Sequence, residues 1–543
     1  MPFRKPRRGH RSSPPQERRR AHRPAHLRAQ LLARGVAVLA LGAALVAPLA
    51  AQTAPSVTSA AGTITPADVQ HRIGIIADDS MLGRDTPSRG LDETAAWVAG
   101  EFRRFGLAPG GDRGTFFQRY SITRRRFEPA RSALTFRAGG HEARLAFTAD
   151  ARLVQGDARA EPLTGGVLLV GGRLTADAVA RASVRGRIVL VVPNAASAAA
   201  ATPAGAEDAI RALYLAGPRA IVLLSVLDPT AFAVRLPSQA SERTTVDLGL
   251  PRPVVVEARE DAAAPALSAV GVHPAALRAA TTAVVRDLPA LTARLDLAET
   301  ILSSRMAPNT IGVLEGTDPV LKHQYVLFSA HMDHIGITPG QPDSINNGAD
   351  DDASGTVGVV ELAEAMSRRG ARPRRSTVFL TVSGEEKGLW GSRYFSEHPT
   401  VPLDSVVADL NMDMIGRNWA DTIVAIGKEH SDLGATLERV NAAHPELRMH
   451  AIDDRWPAER FYFRSDHYNF ARKGVPILFF FNGVHEDYHR VTDSVDKINA
   501  EKESRILKLV YYLGQEIGNG AERPKWREQS YKEIVEKAAT GAE

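Results

Sequence analysis

The sequence predicts an α/β protein with a mixed, mostly parallel, doubly wound main sheet and a smaller β-rich, α+β domain inserted before it. After Asn309, short apolar strands alternate with helical segments, as they do in doubly wound sheets. Between about residues 150 and 290, short buried-strand runs are instead separated by Ala-rich helical stretches. The 543 residues also exceed the ~100 to 200 that one domain usually contains. Two folded domains are therefore expected.

These changes in pattern divide the chain into five predicted segments. An amphipathic helix at residues 91–105 and a following set of short strands belong to the first part of the main domain. The predicted main strands are QYVLFSA, STVFLTVS, SVVADLNM and VPILFFFN, and helices are expected at GTVGVVELAEAMSRR and after Glu501. The segments are a leader at 1–51, the first part of the main domain at 65–149, the inserted domain at 150–290, the rest of the main domain at 300–520 and a charged helical tail at 521–543.

The leader differs from the rest of the chain in charge and hydropathy. It carries 11 basic residues and a single acid, Glu17, and ends in the apolar run VAVLALGAALVAPLAA. This order predicts a secretory signal cleaved near Ala50 or Ala51, and hence a secreted or periplasmic protein, with an uncleaved membrane anchor as the alternative. The remaining chain has 56 basic and 61 acidic residues. We therefore expect neither nucleic-acid binding nor stable membrane association after cleavage.

The chain contains no cysteine, which excludes disulfides and thiolate metal ligands. Any bound metal must be held by His, Asp and Glu. Such residues follow all four predicted main strands, and ligands of open α/β sheets gather beyond the carboxyl ends of the strands. The residues are His331 and Asp333, Glu385 and Glu386, Asp413, and the segment from His485 to His489.

Two acidic clusters add to this pattern. Asp350, Asp351 and Asp352 are consecutive, so their carboxylates repel one another unless a cation neutralises them; the alternative is an N-cap cluster on the following helix. The pair Glu385-Glu386 suggests that one carboxylate ligates a metal while the other takes a proton from bound water. The sequence HEDYH at 485–489 matches the HExxH pattern of single-zinc proteases, but that pattern requires a helix, and this segment has no helical period.

Together these residues resemble the M28 family of metallopeptidases, the co-catalytic zinc aminopeptidases. The segment DDSMLGRDTPSRGLDETAAWVAGEFRRFGL is similar to the N-terminal helix region of the family, and residues 150–290 are similar to the protease-associated (PA) domain that many members carry as an insertion. The motifs that carry the resemblance are SAHMDHIG, NNGADDDASG, SGEEKGLWGS, LNMDMIGR and DYHRVTDS.

The resemblance implies two zinc ions per chain. His331 and Asp413 would bind one ion, Glu386 and His489 the other, and Asp351 both. Asp333 would accept a hydrogen bond from the His331 ring and fix its tautomer. Glu385 matches the general base of the family, Tyr488 a phenol that stabilises the oxyanion in some members, and Asp352 and Asp466 supporting positions.

The implied function is an exported zinc aminopeptidase that releases N-terminal residues from peptides. A carboxypeptidase and a single-zinc glutaminyl cyclase are alternatives on the same scaffold, and a non-catalytic receptor-like relic is a third. A carboxypeptidase needs a cation for the substrate carboxylate, for which the candidates are Arg393, Arg417, Arg455, Arg460 and Arg464. By analogy with the family, the inserted domain would border the substrate cleft.

Overall fold

Two β-sheets organise the described part of the chain. The computed structural model describes residues 55–159, 161–175, 178–179, 182–194, 206–249, 253–340 and 342–540, so the predicted leader lies outside the described residues. The strands are β1 Ala108–Pro109, β2 Phe117–Phe127, β3 Ala133–Ala138, β4 His141–Ala146, β5 Ala151–Gln155, β6 Leu163–Gly172, β7 Ile188–Pro193, β8 Ala220–Ser225, β9 Glu242–Val246, β10 Val254–Arg259, β11 Ala283–Asp296, β12 Glu299–Leu314, β13 Tyr325–His331, β14 Ser376–Val382, β15 Val406–Met412, β16 Thr422–Ile426, β17 His450–Ile452 and β18 Ile477–Phe481.

Helices surround both sheets. The helix predicted at 91–105 is α3 (Arg89–Arg104). Those expected after residue 354 and after Glu501 are α8 (Gly355–Ser367) and α12 (Ala500–Asn519). In chain order the α-helices are α1 Pro55–Ala61, α2 Pro66–Ile76, α3 Arg89–Arg104, α4 Ala206–Leu215, α5 Pro229–Ala233, α6 Glu260–Ser268, α7 Pro274–Ala279, α8 Gly355–Ser367, α9 Trp390–Glu397, α10 Leu433–Ala443, α11 His467–Ala471, α12 Ala500–Asn519, α13 Glu528–Tyr531 and α14 Lys537–Thr540.

The first sheet has a parallel centre and antiparallel edges. Its four central strands, in the order β14-β13-β15-β18, are parallel and are the four main strands predicted from the sequence. The antiparallel strands β12, β2 and β9 extend the β14 edge, and β16 with β17 extends the β18 edge. The sheet is therefore mixed, as predicted, and its parallel part is confined to the centre and the β16–β17 pair.

The central strands bury side chains on both faces. Phe328 of β13 packs with Leu410 of β15 and residues of α8 and α12 on one face. The neighbouring Leu327 packs on the opposite face with Phe395 of α9 and Phe470 of α11. Because successive residues of a strand point to opposite faces, strands covered on both sides become continuous apolar runs. This explains why these four strands were recognisable in the sequence.

A reversal of strand order lies at β13. The chain passes from β13 through α8 to β14 on one side, and then through α9 to β15 on the other side of β13. The helices of these two connections pack on opposite faces of the sheet. Such a reversal opens a crevice at the carboxyl ends of the strands, where open α/β sheets bind ligands. The crevice lies where β13 and β15 end.

The second sheet has the order β4-β3-β11-β6-β7-β8-β10-β5 and a parallel centre of β6, β7, β8 and β10. It lies in sequence between β2 and β12, two neighbouring antiparallel strands of the first sheet. The sheet begins before the predicted boundary at residue 150, because β3 and β4 form a hairpin on its edge, and β11 continues past residue 290. The sequences of β3 and β4 are short apolar runs broken by Gly and Arg, and such runs do not indicate to which sheet the strands belong.

The C-terminal tail packs on the main domain. After α12 the chain forms α13, a π-helical turn at Lys532–Glu536 and α14. Ile534 and Val535 of that turn are buried against the face of the first sheet that α9 and α11 cover. Within the described ranges, no helix has the length and apolar content needed to cross a membrane.

Candidate metal centre

The carboxyl ends of the central strands bring the predicted ligands together. His331 is the last residue of β13, Asp413 directly follows β15, and Glu386 lies just past the end of β14. Asp351 lies in a π-helical turn, Ala349–Ser354, that precedes α8. His489 comes from the turn after β18. The other four candidates surround the carboxylate of Asp351.

The two oxygens of Asp351 face two different groups of side chains. Asp351 Oδ1 lies 3.3 Å from His331 Nε2, which is also 3.6 Å from Asp413 Oδ1. Asp351 Oδ2 lies 3.2 Å from His489 Nε2, which is 3.1 Å from Glu386 Oε2. We call the His331–Asp351–Asp413 group the first set and the Glu386–His489–Asp351 group the second set. The carboxylate of Asp351 is shared between them.

This donor arrangement fits zinc. Zinc bonds of about 2.0 to 2.1 Å to N and O place neighbouring ligand atoms of a tetrahedron about 3.3 Å apart, close to all four separations above. Asp351 Oδ2 and Glu386 Oε1 are buried without a hydrogen-bond partner. Buried carboxylate oxygens are normally hydrogen-bonded or coordinate a metal. Imidazole and carboxylate are also the donors that zinc accepts when thiolates are absent.

The close packing of charged side chains also shifts the pKa values of His331 and Asp351. Burial opposes charge on His331, but the carboxylates of Asp352 and Asp413 outweigh it and raise the pKa of His331 well above its usual value. Burial is likewise overcome at Asp351, where the nearby His334, His331 and His489 hold the pKa well below its usual range. A metal must displace the protons of such histidines, because only neutral imidazole can ligate.

Asp352 joins three segments of the centre through backbone hydrogen bonds. Its carboxylate accepts hydrogen bonds from the N–H groups of His331, Gly355 and Met414, at 3.2, 2.8 and 3.2 Å. These groups belong to the end of β13, the start of α8 and the segment after β15. A single buried carboxylate thereby fixes the three segments that carry the first set.

Asp333 fixes the tautomer of His331 differently from the prediction. The His331 ring contacts the main-chain carbonyl of Asp333, with Nδ1 3.2 Å from the oxygen, whereas the nearer carboxylate oxygen lies 3.8 Å away. The carboxylate instead accepts hydrogen bonds from the Thr86 hydroxyl at 3.0 Å and from the Glu385 N–H at 3.2 Å. The expected side-chain contact is therefore wrong in its acceptor atom. Nδ1–H still donates, so Nε2 is left to face Asp351 and Asp413.

Ser465, a residue that the sequence interpretation missed, holds the ligand candidate Asp413 in place. Ser465 Oγ donates to Asp413 Oδ2 at 2.9 Å, so the carboxylate oxygen opposite His331 is held in place. The neighbouring Asp466 is fully buried, and burial raises the pKa of its carboxyl to about 7. The hydroxyl of Ser465, rather than the carboxylate of Asp466, makes the contact with Asp413.

Arg84 was also missed, although it lies within the quoted N-terminal motif. This fully buried side chain donates to four main-chain carbonyls, and its charge faces the carboxylates of the centre. Two of the acceptors, at 2.5 and 2.8 Å, belong to Asn347 and Gly348 before the acidic turn. The others are Met332 O at 3.0 Å and Ile76 O at 2.8 Å. No local pattern reveals this contact, because Arg84 is distant in sequence from both loops it holds.

Glu385 and Tyr488 border a pocket at the first set. Burial, together with the nearby carboxylates of Asp466 and Asp413, raises the pKa of Glu385 well above its usual value. The Tyr488 ring stacks on the ring of His489 with centroids 3.8 Å apart. The remaining lining consists mainly of apolar side chains, with one cation, Arg464. The pocket is lined by His331, Asp351, Glu385, Asp413, Met414, Phe461, Arg464, Ser465, Phe479, Phe481, Val484 and Tyr488.

The HExxH match is coincidental. Residues 486–489 form a turn rather than a helix, and the Glu486 side chain is 82% exposed. His485 contacts Asp350, with Nε2 3.1 Å from Oδ2, and only His489 reaches the candidate centre. Asp487 is held by Arg417 and Lys497, which fixes the turn that carries His489.

The segment that contains the candidate centre matches a known protein family. Residues 309–514 match the model described as Peptidase family M28. The match spans both sets, so the predicted resemblance is confirmed for this segment, and it places the segment among the metallopeptidases. The resemblance of residues 150–290 to a PA domain stays a prediction.

Curated proteins and a solved structure are also similar to this chain. A "Probable zinc metalloprotease" of Leptosphaeria maculans is 39% identical over 74 residues, which are 14% of this chain and 17% of that protein. A "Probable leucine aminopeptidase" of Arthroderma otae is 27% identical over 208 residues, which are 37% of this chain and 56% of that protein. The chain thus spans little more than half of the length of the second relative. An aminopeptidase structure from Aneurinibacillus sp. strain AM-1 is 17% identical, with 86% of this chain and 97% of that chain covered and a TM-score of 0.43.

Proposed function

We propose that the protein is an exported two-zinc aminopeptidase that hydrolyses the first peptide bond of peptides with a free N-terminus. The observation that carries this proposal is the carboxylate of Asp351, whose Oδ1 faces the first set and whose Oδ2 faces the second. A carboxylate placed in this way can bridge two cations. Zinc held by these residues would polarise the scissile carbonyl and lower the pKa of the attacking water.

Glu385 is the proposed general base. It lines the pocket beside His331, Asp351 and Asp413, whereas its neighbour Glu386 points its Oε2 at His489. Glu385 belongs to neither set of proposed ligands, so its carboxylate remains available as a proton acceptor. The carboxylate would take a proton from the attacking water and later donate it to the leaving amine. Tyr488 lines the same pocket, where its hydroxyl would donate a hydrogen bond to the oxyanion.

The charges that line the pocket favour the amino end of a substrate over the carboxyl end. Of the three carboxylates that line it, those of Asp351 and Asp413 are proposed zinc ligands, which leaves Glu385 as the free anion beside one arginine, Arg464. A substrate ammonium group is attracted to Glu385, whereas a free carboxylate is repelled by it. Three of the other arginine candidates contact side chains outside the pocket lining. Arg417 pairs with Asp487, and Arg455 and Arg460 lie over the rings of Trp419 and Phe463.

The remaining parts of the chain have proposed roles that rest on the sequence and the fold. We propose that the leader directs export to the periplasm or the medium and that the second sheet is a PA-like accessory domain. Two contacts tie the accessory segment to the main domain: β9 pairs with β2, and the His398 ring lies 2.5 Å from the carbonyl of Leu248. Such attachment would hold the accessory domain in a fixed position beside the main sheet.

The proposal is tested with aminoacyl p-nitroanilides and their N-acetylated counterparts, with and without a zinc chelator. An aminopeptidase of this kind cleaves only the free-amine substrates, and the chelator abolishes the cleavage. Cleavage of substrates that carry a free carboxylate, but of neither p-nitroanilide, would instead support a carboxypeptidase that uses Arg464. Conversion of N-terminal glutamine, with one metal per chain, would support a cyclase.

The adjacent glutamates provide a matched pair of variants for the base. Glu385→Gln should keep two zinc ions per chain while kcat falls by about 10²- to 10⁴-fold, because only the proton acceptor is lost. Glu386→Gln should instead lower the zinc content itself. Metal analysis and kinetics on the same preparations separate the two effects. Wild-type kcat in Glu385→Gln would remove Glu385 from the base role.

A further inference from the structure

We propose that His334 is an additional protein ligand of the second set. This inference rests on the proposed two-metal centre and extends it: the second metal would have four protein donors, those of His334, Asp351, Glu386 and His489. The first metal would have three, from His331, Asp351 and Asp413. The two sites would then differ in their capacity to accept water or substrate.

The position of the His334 ring supports a ligand role. His334 Nδ1 lies 2.9 Å from Glu386 Oε1 and 3.6 Å from Asp351 Oδ2. These distances bracket the edge of about 3.3 Å expected between ligand atoms of tetrahedral zinc. His334, Asp351 and Glu386 form one of two groups, within the described residues, whose ligand atoms are close enough together to hold a metal ion.

The hydrogen bonding of His334 is the second observation. The side chain is completely buried, and neither ring nitrogen has a hydrogen-bond partner among the described residues. Nδ1 is close to Glu386 Oε1, but the two groups are not oriented for a hydrogen bond. Asp351 Oδ2 and Glu386 Oε1 are unpaired in the same way. Three unpaired polar atoms that converge in the interior are explained by a cation between them.

The backbone fixes the ring in this orientation. Gly348 has a positive φ of 56°, and a Cβ at this position would lie 2.6 Å from Cγ of His334. Only a glycine allows the acidic loop to approach the imidazole this closely. On its other side the His334 ring meets the ring of His489 edge to face, with centroids 5.7 Å apart. The ring therefore has little room to turn away from Glu386.

The pocket borders the first set, which would have three protein ligands, rather than the second, which would have four. Its lining includes His331, Asp351 and Asp413, but not His334, Glu386 or His489. A tetrahedral zinc site with four protein ligands is filled, whereas one with three keeps a position for water or substrate. Substrate would thus meet the metal of the first set, and the metal of the second set would mainly orient Asp351.

The test counts metal-bound histidines directly. Protein in which cobalt(II) replaces zinc is studied by ¹H NMR, because the ring N–H of a cobalt-bound imidazole is shifted far outside the normal range and disappears in D₂O. The wild-type protein should give three such signals, from His331, His334 and His489. His334→Gln should lose one of them and bind the second cobalt equivalent more weakly by more than the 10- to 100-fold that an outer-sphere partner costs.

Two further variants serve as controls for the number of signals. His489→Gln should also lose one signal, and His444→Gln should lose none, since the His444 ring stacks on Tyr512 away from the centre. Two wild-type signals, both retained in His334→Gln, would overturn the ligand role even though two metals are bound. Binding of only one metal by the wild-type protein would instead contradict the proposed two-metal function. If His334→Gln does not fold, the wild-type count of three or two still decides.

Discussion

Replacement of Arg84 by Met removes the side chain that holds the two metal-binding loops to the N-terminal segment. The guanidinium donates to the carbonyls of Ile76, Met332, Asn347 and Gly348. Methionine fills similar space but leaves the carbonyls of Ile76, Met332 and Asn347 without this donor, whereas Gly348 O still accepts from the N–H of Ala353 at 3.2 Å. An unpaired buried acceptor costs at least about 1 kcal/mol, so the loss of the donor at three carbonyls should lower the free energy of unfolding of Arg84→Met by about 3 kcal/mol.

Arg375 offers a matched control. It is also fully buried and donates to main-chain carbonyls, among them Ile517 O at 2.8 Å and Gly520 O at 2.5 Å. These carbonyls lie at the end of α12 and beyond it, so they hold no predicted ligand. Arg375→Met should cost a similar amount of stability without moving the ligands.

The assay combines urea unfolding of the chelator-treated proteins with a zinc competition titration. Both variants should lose similar stability, but only Arg84→Met should raise the Kd for zinc, by about 10- to 100-fold, as is usual when an outer-sphere contact is removed. The reason is that Met332 and Gly348 flank the ligands His331 and Asp351. An unchanged zinc Kd in Arg84→Met, or an equal rise in Arg375→Met, would refute this account of the loops.

Two further predictions concern pH and metal. Burial lowers the pKa of His467 to about 3, while its Nε2 lies 2.8 Å from the Tyr462 carbonyl. Below pH 6.5, His467 is therefore protonated in the unfolded chain but stays neutral in the folded protein. The free energy of unfolding should fall by about 1.4 kcal/mol per pH unit as the pH drops toward 3. Urea unfolding of the wild-type protein and His467→Gln should show this extra acid sensitivity only in the former, and equal slopes would contradict it. Zinc at about 100 times its Kd should stabilise the fold by about 2.7 kcal/mol for each bound ion. Thermal unfolding with and without a chelator measures this shift, and Asp413→Asn should reduce it.

The predicted parts of the fold are those with a strong local pattern. The four central strands are buried on both faces, so they appear in the sequence as continuous apolar runs. The candidate ligands His331, Glu386 and Asp413 were predictable because they end or closely follow these strands, and the carboxyl ends of parallel strands meet at one edge. The doubled Glu385-Glu386 and the run of three acids pointed to the same edge.

The parts that were not predicted depend on contacts distant in sequence or on side-chain direction. His334 is only three residues after His331, but past the strand end spacing does not tell which way a ring points. Arg84 and Ser465 act on segments far away in the chain, and neither has a local signature. The same holds for β3 and β4, whose assignment to the second sheet depends on pairing with β11.

The central claim is that the carboxylate of Asp351 bridges two metal ions. Anomalous diffraction at the zinc edge, from crystals of the zinc-loaded protein, tests it most directly. We expect two peaks about 3.5 to 4 Å apart, one beside Oδ1 with His331 and Asp413 and one beside Oδ2 with Glu386 and His489. A single peak, or two peaks that do not share Asp351, would contradict it.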